Sequence, residues 1–405
     1  MIARNVLMFL LVVVLTGALR LEGELIEAVY SNGDSILRVS VERIDVLFKS
    51  QIETPSFPGL IEFAGKLIIP HHRSKPGERG YRNVAAVSTD GGKTWTDLPS
   101  DSAFCDDLEN SGLYGYTRDG AFLYVDTFPL EAKKKQEEWG PGGYYKTQRI
   151  KNPTWRARRF SRAGELKDTW QMRMLDLPWQ EASYENYGSI LELENGDFLT
   201  AFQCLVEPPK EEGGKTLYNF SSFVARSTDG GKSFKHVWTF SPVIDGKRIR
   251  GDEGLVEPDM ALLPNGDILC IMRTDSYSPM YQSRSKDGGR TWSQPASVGW
   301  PGVKPKLRVL KNGVLACTSG RGLYGRPQVT YAMFSIDGTG EVWEAPFSFY
   351  TGLSDNYTFN MERDGKLYVV YSVLSATNPP YQFAYTLPFE SIRWAVLRVT
   401  KEKGT

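Results

Sequence analysis

The stretch RSTDGGKSF at residues 226–234, with its near copies VSTDGGKTW at 87–95 and RSKDGGRTW at 284–292, decides how this chain folds. In each copy a Ser, and an Asp two residues later, can turn side-chain oxygens onto backbone N–H groups inside one tight turn. The Gly pair that follows takes backbone conformations closed to other residues, and a terminal Trp or Phe is left to bury. Weaker copies stand at 160–170 (FSRAGELKDTW) and 334–343 (FSIDGTGEVW). Asp90, Asp229 and Asp287 therefore read as staples of the fold rather than as catalysts.

A second element precedes most of these turns: an apolar run, a Gly turn, and another apolar run. It occurs as LIEFAGKLIIP (60–70), YGYTRDGAFLYV (114–125), ILELENGDFLTAF (190–202), ALLPNGDILCIM (261–272), LRVLKNGVLACT (307–318) and FNMERDGKLYVVY (359–371). Asn-Gly and Asp-Gly between apolar runs are strong hairpin signals, because the tightest turns need positive φ. The shared glycines, Gly65, Gly120, Gly196, Gly266, Gly313 and Gly365, are spaced 55, 76, 70, 47 and 52 residues apart. Six hairpins at about one blade length predict an all-β, six-bladed β-propeller. The sixth unit has no box of its own, so the segment around Ile36–Phe48 is expected to pair with it and close the ring, which removes exposed strand edges. The charged insertions 131–145 and 207–216 read as loops.

Residues 1–20 combine Arg4, the apolar run Val6–Leu15 and the small residues Thr16, Gly17 and Ala18, which is a signal-peptide pattern. The run is short for a membrane span. The expected organisation is a leader over 1–20 and a single propeller domain over 21–405, secreted or periplasmic, with no membrane association once the leader is removed. Lys+Arg and Asp+Glu both number 48, which argues against a nucleic-acid partner. Four Cys without a CxxC pair, three His and no Asp/Asn ladder leave no expected metal or cofactor. A monomer is expected.

In each hairpin the Gly turn and the following box lie on one rim, so the first strand's start and the second strand's end lie on the other. That filter collects Ser56, Tyr184, Glu185, Asn186, Tyr187, Glu253, Glu257, Asp259, Asp355, Asn356 and Tyr357 from strand starts. From strand ends it collects His71, His72, Arg73, Asp126, Gln203, Arg273, Thr274, Asp275 and Arg321, with Arg326 shortly after. Convergent Arg, carboxylate, His and Tyr side chains in a concave centre form a candidate binding site. His71 and His72 suit general acid/base chemistry, or equally a polar strand end.

The three clean copies are Asp-box repeats, and over about residues 50–375 the chain resembles the sialidase superfamily. The resemblance implies three Arg residues clamping a substrate carboxylate, a Tyr nucleophile activated by a Glu, and an Asp acid/base; a carboxylate nucleophile would repel the substrate's own carboxylate. GLVEPDMALLPNGDILCIMRT maps Glu257 and Arg273 onto the Glu and one clamp Arg. SGRGLYGRPQ offers Arg321 or Arg326 as another. In DNYTFNMERDGKLYVVY the expected nucleophile position holds Asn356, with Tyr357 one place along. The Arg-Ile-Pro of the family corresponds to Ser56-Phe57-Pro58, so the first clamp Arg is missing, and Arg73 is the candidate replacement. Before the first box, GERGYRNVAAVS offers Glu78 and Arg82 but no Asp.

Three readings remain open. One is an exo-acting glycoside hydrolase on a terminal acidic sugar, with Tyr357, Glu257, His72 and Glu185 as catalytic candidates and Arg73, Arg273, Arg321, Arg326, Asp259 and Tyr187 as substrate-binding ones. The second is a lyase or hydrolase of uronate polysaccharide, with His72 or Tyr357 as base. The third is a non-catalytic glycan-binding propeller. All three imply a glycan or acidic-sugar partner.

Overall fold

The computed structural model describes residues 26–49, 54–74, 82–99, 112–133, 149–186, 188–207, 210–212, 215–249, 251, 253–275, 277–321, 328–354, 357–374 and 389–404. Among them the chain is all-β apart from one helical turn, Leu130–Lys133. The Gly-turn hairpins form antiparallel pairs, and each passes to further antiparallel strands. Thus Val256–Leu262, Ile268–Arg273, Pro279–Ser285 and Ala296–Pro301 make one four-stranded sheet, and Val303–Val309, Leu315–Gly320, Val329–Ser335 and Phe347–Thr351 the next. Thr54–Ser56 and Ile61–Phe63 both pair with Lys66–Ser74, which continues to Arg82–Ser88 and Thr96–Asp97.

The segment expected to close the molecule does so. Ser35–Lys49 runs antiparallel to Phe389–Lys403, from Ser35 opposite Lys403 to Lys49 opposite Ser391. That places it in one five-stranded sheet with Glu27–Ser31, Lys366–Leu374 and Thr358–Arg363.

The sheets are not six discrete blades. The described residues form five sheets of four or more strands, plus the two-stranded ribbons Lys210–Glu212/Lys215–Leu217 and Val243–Ile244/Lys247–Arg248. The unit holding the second hairpin and the unit holding the third merge into one ten-stranded sheet. They are joined by parallel pairing of Arg173–Leu175 with Ser233–Lys235 and of Gly188–Ser189 with Leu113–Tyr114. Their outer strands are long enough to satisfy each other's edge groups. The ribbon at 210–217 also replaces part of the loop expected over 207–216; the 131–145 insertion beyond Lys133 lies outside the described residues.

The box turns are built as their residue types dictate. Ser227 Oγ donates to Asp229 Oδ1 at 2.8 Å and accepts the Gly231 N–H at 2.8 Å, while Asp229 accepts from the Ser233 amide and hydroxyl at 3.0 and 2.6 Å. The same bonds recur at Ser88/Asp90 and Ser285/Asp287. The weaker copy at Ser335/Asp337 keeps the Ser–Asp bond at 2.8 Å. The copy at 160–170 is a plain hairpin turn whose Trp170 indole N–H reaches the neighbouring box at Gly231 O, 2.9 Å away. Gly92 shows why the box needs glycine. Its φ is +88°, and a Cβ there would stand 2.0 Å from the Trp394 ring. The core lies between neighbouring sheets, as where Ile68, Phe122, Phe359 and Trp394 meet. Cys204, Cys270 and Cys317 are free thiols buried in these layers.

Candidate active site

Two strand entries share an unusual construction. Val256 pairs with Arg273, the register then slips, and pairing resumes at Asp259 opposite Ile271. In the next sheet Val303 pairs with Gly320 and pairing resumes at Lys306 opposite Thr318. The bulged residues are Glu257, at φ +49°, and Lys304, at φ +41°. Each is followed by a proline, Pro258 or Pro305, which has no N–H for the ladder. Phe57, at φ +48° before Pro58, enters the first sheet the same way. Bulges re-aim side chains, and positive φ in a non-glycine residue is strained backbone that the surrounding fold must hold.

Glu257 is 4% exposed, and its carboxylate is surrounded by donors. Oε1 accepts the Tyr357 hydroxyl at 2.6 Å and Arg273 Nη1 at 3.0 Å, and Oε2 accepts the Lys304 backbone N–H at 2.6 Å. Its own amide donates to Gln203 Oε1 at 2.7 Å. Burial alone would raise the Glu257 carboxyl, but Arg273, the Tyr357 hydroxyl and Lys304 outweigh it and hold the group below the ordinary carboxylate value. Tyr357, spaced one place from the position the family pattern indicates, is thus in contact with Glu257. Arg273 Nη1 also lies 3.5 Å from the Tyr357 oxygen, and Nη2 donates to Glu253 at 2.7 Å.

Further cations stand around the phenol. Arg321 is half-buried beside Arg273; desolvation and then that neighbouring charge lower its pKa, against the opposing fields of Tyr357, Tyr277 and Glu253. The Lys304 ammonium lies 5.2 Å from the centre of the Tyr357 ring and 4.7 Å from that of Phe359. Phe57 completes the wall, 5.4 Å from the Tyr357 ring and 5.7 Å from His72. The arrangement combines a phenol, a hydrogen-bonded carboxylate to take its proton, and fixed positive charge for an anion.

A family model described as BNR repeat-like domain matches residues 132–369. The chain belongs to that family. A second model, the BNR/Asp-box repeat, matches residues 86–97, over the first box. No curated protein matches the chain at a significant level. Among solved structures, a Dyadobacter fermentans protein of unknown function is 17% identical at a TM-score of 0.64, the match covering 89% of this chain and 99% of that one. The intramolecular trans-sialidase of Ruminococcus gnavus is 11% identical at 0.54, with 88% and 97% covered. Trypanosoma rangeli sialidase is 12% identical at 0.53; the match covers 85% of this chain but only 55% of that protein. At these identities the likeness is one of fold alone.

The other candidates of this BNR-family chain sit at varying distances from that centre. Glu185 accepts from Gln203 Nε2 at 3.2 Å, so it orients the Gln203 amide that holds the Glu257 backbone. Asp259, 1% exposed, straps sheets together: it accepts from Ser189 Oγ at 2.8 Å and the Leu307 N–H at 2.7 Å, with Lys306 Nζ at 3.6 Å. Arg73 is not brought to the centre. Its guanidinium forms a bidentate pair with Asp97 at 2.6 Å per bond, because its strand neighbours Thr96–Asp97 through Arg82–Ser88. His72 is buried, and desolvation first, then the Lys304 and His71 charges, lower its pKa to about 3. Tyr187, Arg326, Asn356 and Glu78 lie outside the described residues.

Lys304 escaped the sequence filter although a signal was present. Glu257-Pro258 and Lys304-Pro305 both follow a Val and both stand nine residues before the Gly of their hairpin turn. Whatever construction aims one of them aims the other.

Proposed function

We propose that this chain is a six-bladed propeller acting as an exo-glycoside hydrolase on a terminal acidic sugar, sialic acid or a relative. The merged ten-stranded sheet counts as two blades in this reading, since each half is antiparallel and only edge strands join them. The observation that carries the proposal is the 2.6 Å hydrogen bond from the Tyr357 hydroxyl to Glu257, set beside Arg273 and Arg321. A phenol ordinarily ionises near pH 10, so it needs an adjacent base and nearby cations to attack at neutral pH.

In the first step the Tyr357 oxygen bonds to the anomeric carbon, its proton passes to Glu257, and the glycosidic C–O bond breaks as the departing oxygen takes a proton from solvent. In the second, water attacks the same carbon and gives up a proton to solvent, the bond to Tyr357 breaks, and Glu257 returns its proton to the phenolate. Two displacements retain the anomeric configuration. Arg273 and Arg321 bind the sugar carboxylate, which must displace Glu253 from Arg273 Nη2. The apolar run Val6–Leu15 is carried forward as a cleavable leader that places the enzyme outside the cytoplasm.

A second reading, a non-catalytic glycan-binding propeller, is favoured by Ser56 standing where the family carries a clamp Arg, and by Glu253 already on Arg273. A panel of acidic glycosides, read by mass spectrometry for released sugar, separates the two. Tyr357→Phe should lose turnover by about a thousandfold or more while binding persists. Binding without turnover in the native protein would leave the second reading standing.

A further inference from the structure

We propose that Lys304 is a positioning residue for the Tyr357 phenol, its ammonium stabilising the negative charge that the phenol oxygen gains when its proton moves to Glu257. The inference deepens the hydrolase reading and rests on it for its purpose.

Lys304 is 1% exposed, one of the largest fully buried side chains of the molecule. Burying an ammonium is costly unless negative charge or aromatic faces compensate for lost water. Among the described residues the compensation includes the Glu257 carboxylate, whose pKa the Lys304 charge lowers, and two ring faces, Tyr357 at 5.2 Å and Phe359 at 4.7 Å. The backbone that puts it there is itself strained, a bulge with φ +41° ahead of Pro305. A lysine needed only to fill space would not require that construction, and the same construction aims Glu257.

The residue also touches both members of the reacting pair through different atoms. Its backbone N–H donates to Glu257 Oε2 at 2.6 Å, while its ammonium lies over the Tyr357 ring. The amide therefore fixes the carboxylate that receives the proton, while the charge acts both on that carboxylate and on the group that gives the proton up. Among the described residues, other charges around the phenol come from several neighbouring elements. Glu257 is bonded to it, Arg273 lies beside it with Glu253 behind, and Arg321 is close enough to feel it. His72, across Phe57, adds no charge, since burial and the Lys304 ammonium keep it neutral. Lys306, whose ammonium lies 4.9 Å from the Phe359 ring, is balanced by Asp259. Among the described residues Lys304 is the cation over the Tyr357 ring face.

The test needs no substrate. Tyr357 ionisation is read by ultraviolet difference titration of each variant against the same variant carrying Tyr357→Phe, which isolates this phenol among the 20 tyrosines. Lys304→Met keeps the backbone amide and the bulk but removes the charge, and Lys304→Arg keeps the charge. A unit charge at this separation predicts an upward shift of roughly one pH unit or more in Lys304→Met, and little change in Lys304→Arg. On an active substrate, Lys304→Met should lower kcat about tenfold or more with KM nearly unchanged. Tyr357 titrating at the same pH in Lys304→Met and the native protein overturns the proposal; if the Met variant does not fold, Lys304→Gln decides by the same titration. A shifted titration in a protein that hydrolyses no glycoside would sink the hydrolase reading alone, whereas hydrolysis with an unshifted titration would sink this inference alone.

Discussion

Acidifying the protein from pH 7.5 to pH 5 should destabilise it through two adjacent histidines. His71 Nδ1 donates to Ile69 O at 3.0 Å, and its Nε2 accepts from Arg73 Nε at 3.1 Å. Only the neutral ring can do both; a second proton would set N–H against N–H. Burial first, with Arg73 among the opposing charges, lowers the His71 pKa from 6.5 to about 4, and burial with the Lys304 charge lowers that of His72 to about 3. A histidine held neutral in this way binds its proton more weakly folded than unfolded. Its contribution is fully present above pH 6.5 and is lost as the pH falls toward the folded value. At pH 5 each ring then costs about 2 kcal/mol, or about 4 kcal/mol for the pair, a large part of a typical domain's 5–15 kcal/mol. His236 is also lowered and adds in the same direction. The carboxylates held low in the Asp boxes titrate further down and do not act in this window. Urea unfolding at the two pH values measures the loss, and His71→Gln/His72→Asn should remove most of it. A pH dependence equally steep in the double variant would refute the reasoning and return His72 to the set of proton-transfer candidates.

Glu257→Gln preserves shape but cannot take the Tyr357 proton, so kcat should fall by about 10²–10⁴, measured on whichever glycoside the panel identifies. Because Glu257 sits below the ordinary carboxylate value, activity of the native protein should hold down to at least pH 5 and decline only in the carboxylate range or lower, as a kcat/KM profile would show. Asp259→Ala should act on stability rather than on KM, costing about 3–5 kcal/mol by leaving Lys306 buried without its partner; the double variant Asp259→Leu/Lys306→Met should recover much of that in a thermal melt. Gly92→Ala should lower Tm sharply, since the added methyl meets the Trp394 ring at 2.0 Å at a φ of +88°.

The repeats were legible in the sequence because their chemistry is local. Ser, Asp and paired Gly within a nine-residue window make the same bonds wherever they occur, and the Gly turns alternate with apolar runs at strand period. Closure by Ile36–Phe48 was legible for a different reason: a sixth unit without its own outer turn leaves an edge that some other strand must cover. The merging of the second and third units into one sheet was not legible. Whether two neighbouring edge strands stay apart or pair, as Arg173–Leu175 does with Ser233–Lys235, depends on strand length and tilt rather than on any residue type.

The site was half legible, and what was missed lies largely at irregular strand entries. Regular alternation of side chains would turn a residue one place along away from the centre, which counted against Tyr357. Lys304 was not collected at all. The structure breaks the alternation at the strand entries: Phe57, Glu257 and Lys304 all take positive φ ahead of a proline. At such a bulge two residues face one partner, and the extra residue is free to point where regular pairing would not send it. Glu257 was found through its resemblance to a family pattern, whereas Lys304 had none to match. Arg73 failed in the opposite sense. It sits in a regular strand, where alternation and the neighbouring Asp97 hold it at the edge of its sheet. In this propeller the candidate site therefore collects where strand geometry is interrupted, and an X-Pro step eight or nine residues before a hairpin Gly is the sequence mark of that interruption.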